Sequence, residues 1–235
     1  MIESELGGHR CLCVKGSHDA AVALMHGYGA SANDLFPLHS LLDPERKWNW
    51  YFPEGADNVM FGSEVIGKAW FPIDVARLQL SLMQQGYKSV AMGMSQQLQG
   101  KQPLVENLVK EIKAQHSTLV LGGFSQGAIL TANYLAESQS PGLHGALLFS
   151  PSMAAHWETR HFHNKVASLF ASHGRQDPVL PYALTEQFLT LAKDGGIPVD
   201  WHPFFGGHEI PPDILSASKQ YLATLKLNGE GSEQD

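Results

Sequence analysis

The chain of 235 residues lacks several features that mark secreted, membrane-spanning or disulfide-stabilised proteins. It has only two cysteines, Cys11 and Cys13, and a disulfide between such close neighbours in an extended strand would be strained. We therefore expect two reduced thiols on one face of a strand. Residues 1–8 contain no basic start followed by an apolar run, which predicts that there is no signal peptide. The apolar run at 20–25 is too short to span a bilayer, so we expect no integral membrane association and a cytoplasmic location.

The sequence also has little clustered positive charge. Lys and Arg number 16 against 23 Asp and Glu, which gives a formal net charge of −7. Nucleic acids and anionic membrane surfaces are bound by clustered basic side chains, so we expect neither as a partner. Hydrophobic residues make up 43% of the chain, which is enough to bury a sizeable core. The composition gives no indication of the oligomeric state.

Short apolar runs alternate with helical patterns along the chain. This alternation predicts the α/β class, with a mostly parallel central sheet flanked by helices. We expect a single domain over residues 1–227, with little or no cap, and a polar tail at 228–235. Strands are predicted at 20–25, 48–52, 118–121, 146–149, 168–171 and 199–203. Helices are predicted at 103–115, after Gly127, at 182–192 and at 214–225.

A candidate nucleophile lies in Gly123-Phe124-Ser125-Gln126-Gly127, which fits the pattern Gly-x-Ser-x-Gly. The predicted strand at 118–121 runs directly into this motif, and a helical pattern follows it. A sharp turn between strand and helix needs small residues two before and two after the serine, and it exposes the serine hydroxyl. The pattern therefore indicates nucleophilic catalysis by Ser125, although a glycine-rich turn without catalysis would give the same motif.

A serine hydroxyl needs a base that accepts its proton and an acid that orients this base. His208 is the best candidate base, because it follows two glycines in a loop directly after a predicted strand. Asp177 is the best candidate acid, because it also follows a strand. Asp194 and Asp200 fit less well, since one ends a helix and the other lies within a strand. The histidines that follow the serine are His144, His156, His161, His163, His173, His202 and His208.

The oxyanion of an acyl-transfer reaction needs backbone N–H donors. One is expected from Gln126, the residue after the nucleophile, and the other from Tyr28, which lies between two glycines after the first buried strand. We expect His26 to be structural. We expect no metal and no cofactor, because the histidines at 156, 161 and 163 have no accompanying cysteine or ordered carboxylate pattern.

Six sequence blocks, in order between about residues 20 and 222, resemble the phospholipase/carboxylesterase family. They are Leu24-Met-His-Gly-Tyr-Gly29, Phe52-Pro-Glu-Gly55, Ala69-Trp-Phe71, Gly122-Gly-Phe-Ser-Gln-Gly-Ala128, His173-Gly-Arg-Gln-Asp177 and Gly206-Gly-His-Glu-Ile-Pro211. This family includes small bacterial carboxylesterases and acyl-protein thioesterases. The resemblance implies an α/β-hydrolase fold and supports the same triad and oxyanion donors.

The resemblance also implies a substrate class. Trp70 and Phe71 belong to a block that lies near the pocket in the family, so we expect them to bind the acyl chain. The main functional hypothesis is a serine carboxylesterase that hydrolyses short to medium acyl esters through an acyl-enzyme. Alternatives are a lysophospholipase or acyl-protein thioesterase with the same triad, and a catalytically silent hydrolase fold that serves for binding.

Overall fold

The computed structural model describes residues 1–74, 76, 78, 80, 87–139, 142–160, 162 and 165–227. Its strands form a central sheet and a separate two-stranded ribbon. In chain order the strands are β1 (Ile2–Leu6), β2 (His9–Val14), β3 (Ala20–Met25), β4 (Asn49–Pro53), β5 (Asp57–Phe61), β6 (Glu64–Ala69), β7 (Thr118–Phe124), β8 (Gly145–Phe149), β9 (Leu169–Gly174) and β10 (Val199–Phe204).

The central sheet has the strand order β1-β2-β4-β3-β7-β8-β9-β10. The six strands from β4 to β10 in this order pair in parallel, whereas β1 and β2 add an antiparallel edge. The remaining strands, β5 and β6, form an antiparallel hairpin, and Lys68 of β6 makes an isolated antiparallel bridge with Ala30. The predicted class, with a mostly parallel central sheet, is therefore confirmed.

The helices cover both faces of this sheet. They are α1 (Ala32–Leu35), α2 (Leu38–Leu42), α3 (Tyr87–Leu98), α4 (Gln102–Lys113), α5 (Gln126–Glu137), α6 (Tyr182–Asp194) and α7 (Pro212–Thr224), with a 3-10 helix at Ala155–Thr159. The buried strand β3 contributes alternate side chains to two separate apolar cores. Ala21, Ala23 and Met25 pack on the side of α3–α6, and the intervening residues pack on the side of α1, α2 and α7.

A continuous apolar run is what a strand covered on both faces requires, because neither face meets water. All six predicted strands lie within three residues of observed parallel strands, and five of them, all but the edge strand β10, are almost fully buried. The prediction missed β1, β5 and β6, whose residues are mostly exposed and carry no such run, and it gave no bounds for β2, the strand that holds Cys11 and Cys13. Residues 228–235, predicted as a polar tail, lie outside the described residues. Among the residues described, no helix is both long enough and apolar enough to span a bilayer.

Candidate active site

Ser125 lies at a one-residue turn between β7, which ends at Phe124, and α5, which begins at Gln126. Its backbone has φ 53° and ψ −114°, a conformation that costs a non-glycine residue about 1–3 kcal/mol. Two backbone hydrogen bonds hold the turn: Ser125 N–H donates to Phe149 O at 2.9 Å, and Ile129 N–H donates to Ser125 O at 2.9 Å. The surrounding fold thus maintains a strained serine, as expected for a nucleophile turn.

The two glycines of the motif are required by close packing against the end of β3. A Cβ atom at Gly123 would lie 2.4 Å from Met25 O, and one at Gly127 would lie 2.0 Å from the same oxygen. Any larger residue would therefore push the turn away from β3. The spacing that the sequence shows around Ser125 has a direct steric cause.

His208 and Asp177 meet above the ends of two adjacent parallel strands. His208 Nδ1 lies 2.6 Å from Asp177 Oδ2. Asp177 follows β9 and His208 follows β10, and the strand ends are joined in register at Gly174 and Phe204. A Cβ at Gly174 would lie 2.1 Å from Gly207 O, so the two loops pack closely. The topology therefore brings together the predicted base and the predicted acid, which are 31 positions apart in the chain.

The Asp177 side chain is fully buried, and every described contact favours its ionised form. Its Oδ1 accepts hydrogen bonds from the backbone N–H groups of Val179 at 2.7 Å and Leu180 at 2.9 Å. Burial alone would raise the pKa of this carboxyl, but interactions with His173 and His208 outweigh it and hold the pKa well below its usual range. Asp177 is thus a carboxylate at neutral pH.

A cavity of about 770 Å³ opens beside this group. Its lining includes Ser125, Gln126, Tyr28 and His208, so four of the predicted site residues face one space. The volume lies within the usual range for small-molecule sites. Most of the remaining lining is apolar, including Leu35, Leu38, Ile73, Val90, Met94 and Ile129.

The predicted oxyanion donors lie at the same cavity. Tyr28 stands between Gly27 and Gly29, and Gly29 has a φ of +78°, which disfavours a side chain. Gly29 N–H donates to Lys68 O at 2.9 Å, which ties this loop to β6. Gln126 is the first residue of α5, where a backbone N–H has no acceptor within the helix.

The structure places Trp70 and Phe71 behind the cavity and not in its lining. Both are almost fully buried, with 3% and 0% exposure. Trp70 N–H donates to Gln126 Oε1 at 2.9 Å, and Gln126 Nε2 donates to Phe71 O at 2.8 Å. The indole N–H of Trp70 donates to His26 O at 2.9 Å. These contacts connect the two predicted oxyanion arms, whereas the sequence predicts that Trp70 and Phe71 bind the acyl chain.

His26 lies under the Tyr28 arm and is nearly inaccessible to solvent. Its Nδ1 donates to Gly27 O at 2.7 Å, and its Nε2 accepts from Gly55 N–H at 3.0 Å. Burial lowers the pKa of this imidazole, so the neutral ring is favoured. The geometry is that of a structural histidine, in agreement with the sequence interpretation.

The histidines considered for a metal site are only partly described, because His161 and His163 lie outside the described residues. His156 Nδ1 lies 3.0 Å from Ser95 Oγ, and its Nε2 lies 3.4 Å from Glu137 Oε1. Within the described parts of the chain, no three His, Cys, Asp or Glu side chains form a group that could hold a metal ion.

Comparison with known proteins connects this geometry to a family. The family model described as Phospholipase/Carboxylesterase matches residues 7–226. Esterase PE8 is similar in structure, with a TM-score of 0.77, 22% identity and coverage of 95% of this chain and 100% of that chain. The Bacillus cereus carboxylesterase has a TM-score of 0.71, 20% identity and coverage of 93% and 95%. The Mesorhizobium loti carboxylesterase has a TM-score of 0.72, 18% identity and coverage of 94% and 97%.

No curated protein sequence is significantly similar to this chain. The structural similarities lie below 25% identity and therefore establish the fold, which is that of the α/β-hydrolase esterases. The family match covers nearly the whole chain and establishes the class of reaction. The chain thus belongs to the phospholipase/carboxylesterase family of α/β-hydrolases, enzymes that hydrolyse carboxylic ester bonds.

Proposed function

We propose that this protein is a serine carboxylesterase that acts on short to medium acyl esters through a covalent acyl-enzyme. The observation that carries the proposal is the 2.6 Å contact between His208 Nδ1 and Asp177 Oδ2 beside a cavity that Ser125 also lines. Because Asp177 is held as a carboxylate, it fixes the tautomer in which His208 Nε2 is free to accept a proton.

In the proposed mechanism, His208 removes the proton of Ser125 as the hydroxyl oxygen attacks the ester carbonyl. The C–O bond to the alcohol then breaks, and His208 transfers the proton to the departing oxygen. A water molecule, deprotonated by His208, then attacks the acyl-enzyme carbonyl. The bond to Ser125 Oγ breaks, and His208 returns the proton to this oxygen as the acid is released. In both steps the N–H groups of Tyr28 and Gln126 stabilise the oxyanion.

A series of p-nitrophenyl esters from acetate to laurate tests the substrate class. We expect the highest kcat/KM among the short to medium acyl chains, with a graded decline, because each methylene in an apolar pocket is worth about 1–3 kcal/mol. A palmitoyl thioester and lysophosphatidylcholine are measured in parallel. Higher kcat/KM with either of these would replace the carboxylesterase assignment by acyl-protein thioesterase or lysophospholipase.

The apolar lining predicts which residues set this chain-length preference. Met94 lines the cavity and is 4% exposed, whereas Met92 on the same helix is 60% exposed and does not line it. We expect Met94→Ala to shift the optimum towards longer acyl chains, by about 10-fold in the ratio of kcat/KM values. Met92→Ala is the matched control and should keep the parent profile. An unchanged profile in folded Met94→Ala would show that this wall does not contact the acyl chain.

The contacts of Trp70 predict a different kind of effect. Trp70→Phe keeps most of the buried volume but removes the indole N–H that donates to His26 O. We expect kcat to fall on the order of 10-fold, because the Tyr28 arm loses part of its support while both oxyanion donors remain. The chain-length profile should stay that of the parent, since Trp70 does not line the cavity. A shifted profile at constant kcat would restore the acyl-contact role expected from the sequence.

The proposed chemistry requires no metal, so incubation with EDTA should leave ester turnover unchanged. The measurement is the rate of p-nitrophenyl acetate hydrolysis before and after dialysis against the chelator. A loss of activity that Zn²⁺ restores would contradict the proposal and direct attention to the histidines at 156, 161 and 163.

The cytoplasmic location predicted from the sequence belongs to the same proposal, supported by the unpaired thiols of Cys11 and Cys13.

A further inference from the structure

A second histidine, His173, lies beside the Asp177 carboxylate, with its Nε2 3.0 Å from Asp177 Oδ2. His173 is in β9, four residues before Asp177, and its side chain has 0% exposure. It does not line the cavity, so it cannot contact substrate. The mechanism above does not use it. A fully buried imidazole beside a catalytic acid needs a reason, because buried polar groups are costly unless they are paired.

The Nε2 atom of His173 faces two acceptors. It lies 3.1 Å from Leu180 O and 3.0 Å from Asp177 Oδ2. Neither oxygen can donate, since Asp177 is ionised, so Nε2 carries a proton, which it donates to Leu180 O while Asp177 Oδ2 lies at ion-pair distance. Leu180 N–H in turn donates to Asp177 Oδ1 at 2.9 Å. One ring nitrogen therefore holds both the carboxylate and the turn that presents its backbone donors.

The other side of the ring is held by Thr185 on α6. His173 Nδ1 lies 2.7 Å from Thr185 Oγ1, and this hydroxyl lies 2.5 Å from Pro151 O. Thr185 is also fully buried. Because both ring nitrogens lie at hydrogen-bonding distance from buried partners, rotation or flipping of the imidazole would lose these contacts.

Asp177 consequently has four nitrogen contacts, as many as a carboxylate has lone-pair positions. Oδ2 meets the ring nitrogens of His208 and His173, and Oδ1 meets two backbone N–H groups. A carboxylate has about four such positions, so any rotation about its terminal bond would break contacts that nothing replaces. Removal of His173 would free one position beside the oxygen that orients the catalytic base.

We propose that His173 is a positioning residue for the ester hydrolysis: it fixes the Asp177 carboxylate so that Oδ2 stays directed at His208 Nδ1. The chemistry it serves is the proposed triad, and the inference rests on that proposal. His173 itself neither donates a proton to the substrate nor contacts it. Its contribution reaches the reaction only through Asp177.

Two substitutions distinguish the effect of the His173 N–H donor from the effect of the volume that its ring fills. His173→Phe fills the space without a donor, and we expect kcat to fall by about 10- to 100-fold with KM nearly unchanged, because small misplacements of a catalytic group have effects of this size. His173→Gln keeps an N–H group near the position of Nε2 and should recover most of the activity. His202→Phe is the matched control, since His202 pairs with Asp200 at 2.7 Å outside the cavity.

A double-mutant cycle tests whether the effect passes through Asp177. We expect His173→Phe to have almost no further effect on kcat in the Asp177→Asn background. A purely structural role would reduce kcat by the same factor in both backgrounds and would overturn the inference. Equal kcat in the parent and His173→Phe would also overturn it.

Thr185→Val gives a second and milder perturbation, which decides the question if His173→Phe does not fold. It retains the histidine and removes the hydroxyl that holds Nδ1. We expect kcat to fall on the order of 5-fold, the effect of one lost hydrogen bond, and this loss should vanish in the Asp177→Asn background. An unchanged kcat, or a loss that persists in that background, would contradict the inference.

The same set of proteins distinguishes failure of this inference from failure of the proposed function. If Asp177→Asn itself retains full turnover, the triad is wrong and the positioning role falls with it. If Asp177→Asn is inactive but the variants of His173 and Thr185 behave like the parent, only the positioning role is wrong.

Discussion

Ser125→Ala is expected to lower ester turnover on the order of 10⁶-fold, the usual cost of removing a triad nucleophile. The reason is that no other group at the turn between β7 and α5 can attack the carbonyl. The strained backbone of Ser125 is maintained by hydrogen bonds of its N–H and C=O groups, which alanine retains. We therefore expect the free energy of unfolding to change little, so that loss of activity reports on chemistry and not on folding.

The control for this prediction is another serine at the same cavity. Ser89 also lines it, and Ser89→Ala should keep parental turnover and parental labelling by a fluorophosphonate probe. Ser125→Ala should show neither. Persistent turnover in folded Ser125→Ala, together with an inactive Ser89→Ala, would mean that the wrong serine was chosen.

Asp177→Asn is expected to reduce kcat by roughly 10⁴-fold. His208→Ala is expected to be nearly inactive, with a loss on the order of 10⁶-fold, because removal of the base costs about as much as removal of the nucleophile. Asparagine can donate its amide N–H towards His208 Nδ1, which would favour the tautomer in which Nε2 carries the proton. This tautomer cannot accept the proton of Ser125. The alanine at 208 removes the base altogether. The measurement is steady-state hydrolysis of p-nitrophenyl acetate by folded variants.

Matched acid and histidine variants outside the cavity provide the controls. Asp194 is an exposed residue at the end of α6, and His202 lies in β10 with its own acidic neighbour. Asp194→Asn and His202→Ala should have mild effects. Loss of turnover in Asp194→Asn, together with retained turnover in Asp177→Asn, would refute the assignment of Asp177 as the acid.

The sequence predicts the part of the fold in which burial dictates composition. β3 and β7 are almost fully buried and read as continuous apolar runs, so their positions were predictable. The hairpin of β5 and β6 exposes Phe61 and Val65 and follows no such rule. Edge strands that pair on one side leave a weak pattern, because only part of their surface needs to be apolar.

The features of the candidate site also divide into those that the sequence predicts and those that it does not. Ser125, Asp177 and His208 each follow a predicted strand, and parallel strands carry their following loops to one edge of the sheet. Their proximity was therefore foreseeable from the order of the strands. The direction of the Trp70 side chain was not foreseeable, because a match to a sequence block places residues near a site but does not determine which way their side chains point.

The role proposed for His173 has only a faint signal in the sequence. It stands four residues before Asp177 in His173-Gly-Arg-Gln-Asp177, but a histidine and an acid at this spacing meet only if the turn after β9 folds back. That turn depends on contacts with Leu180 and Thr185, which come from residues later in the chain. Such a tertiary arrangement is not encoded in local spacing.

The most direct test of the proposed mechanism is to map the residue modified by a fluorophosphonate. The parent protein is labelled, digested and analysed by mass spectrometry, and the labelling rate is compared with that of Asp177→Asn. The proposed triad predicts a single adduct on Ser125 and a labelling rate that falls by orders of magnitude in Asp177→Asn. An adduct on another residue, or equal labelling rates in the two proteins, would contradict it.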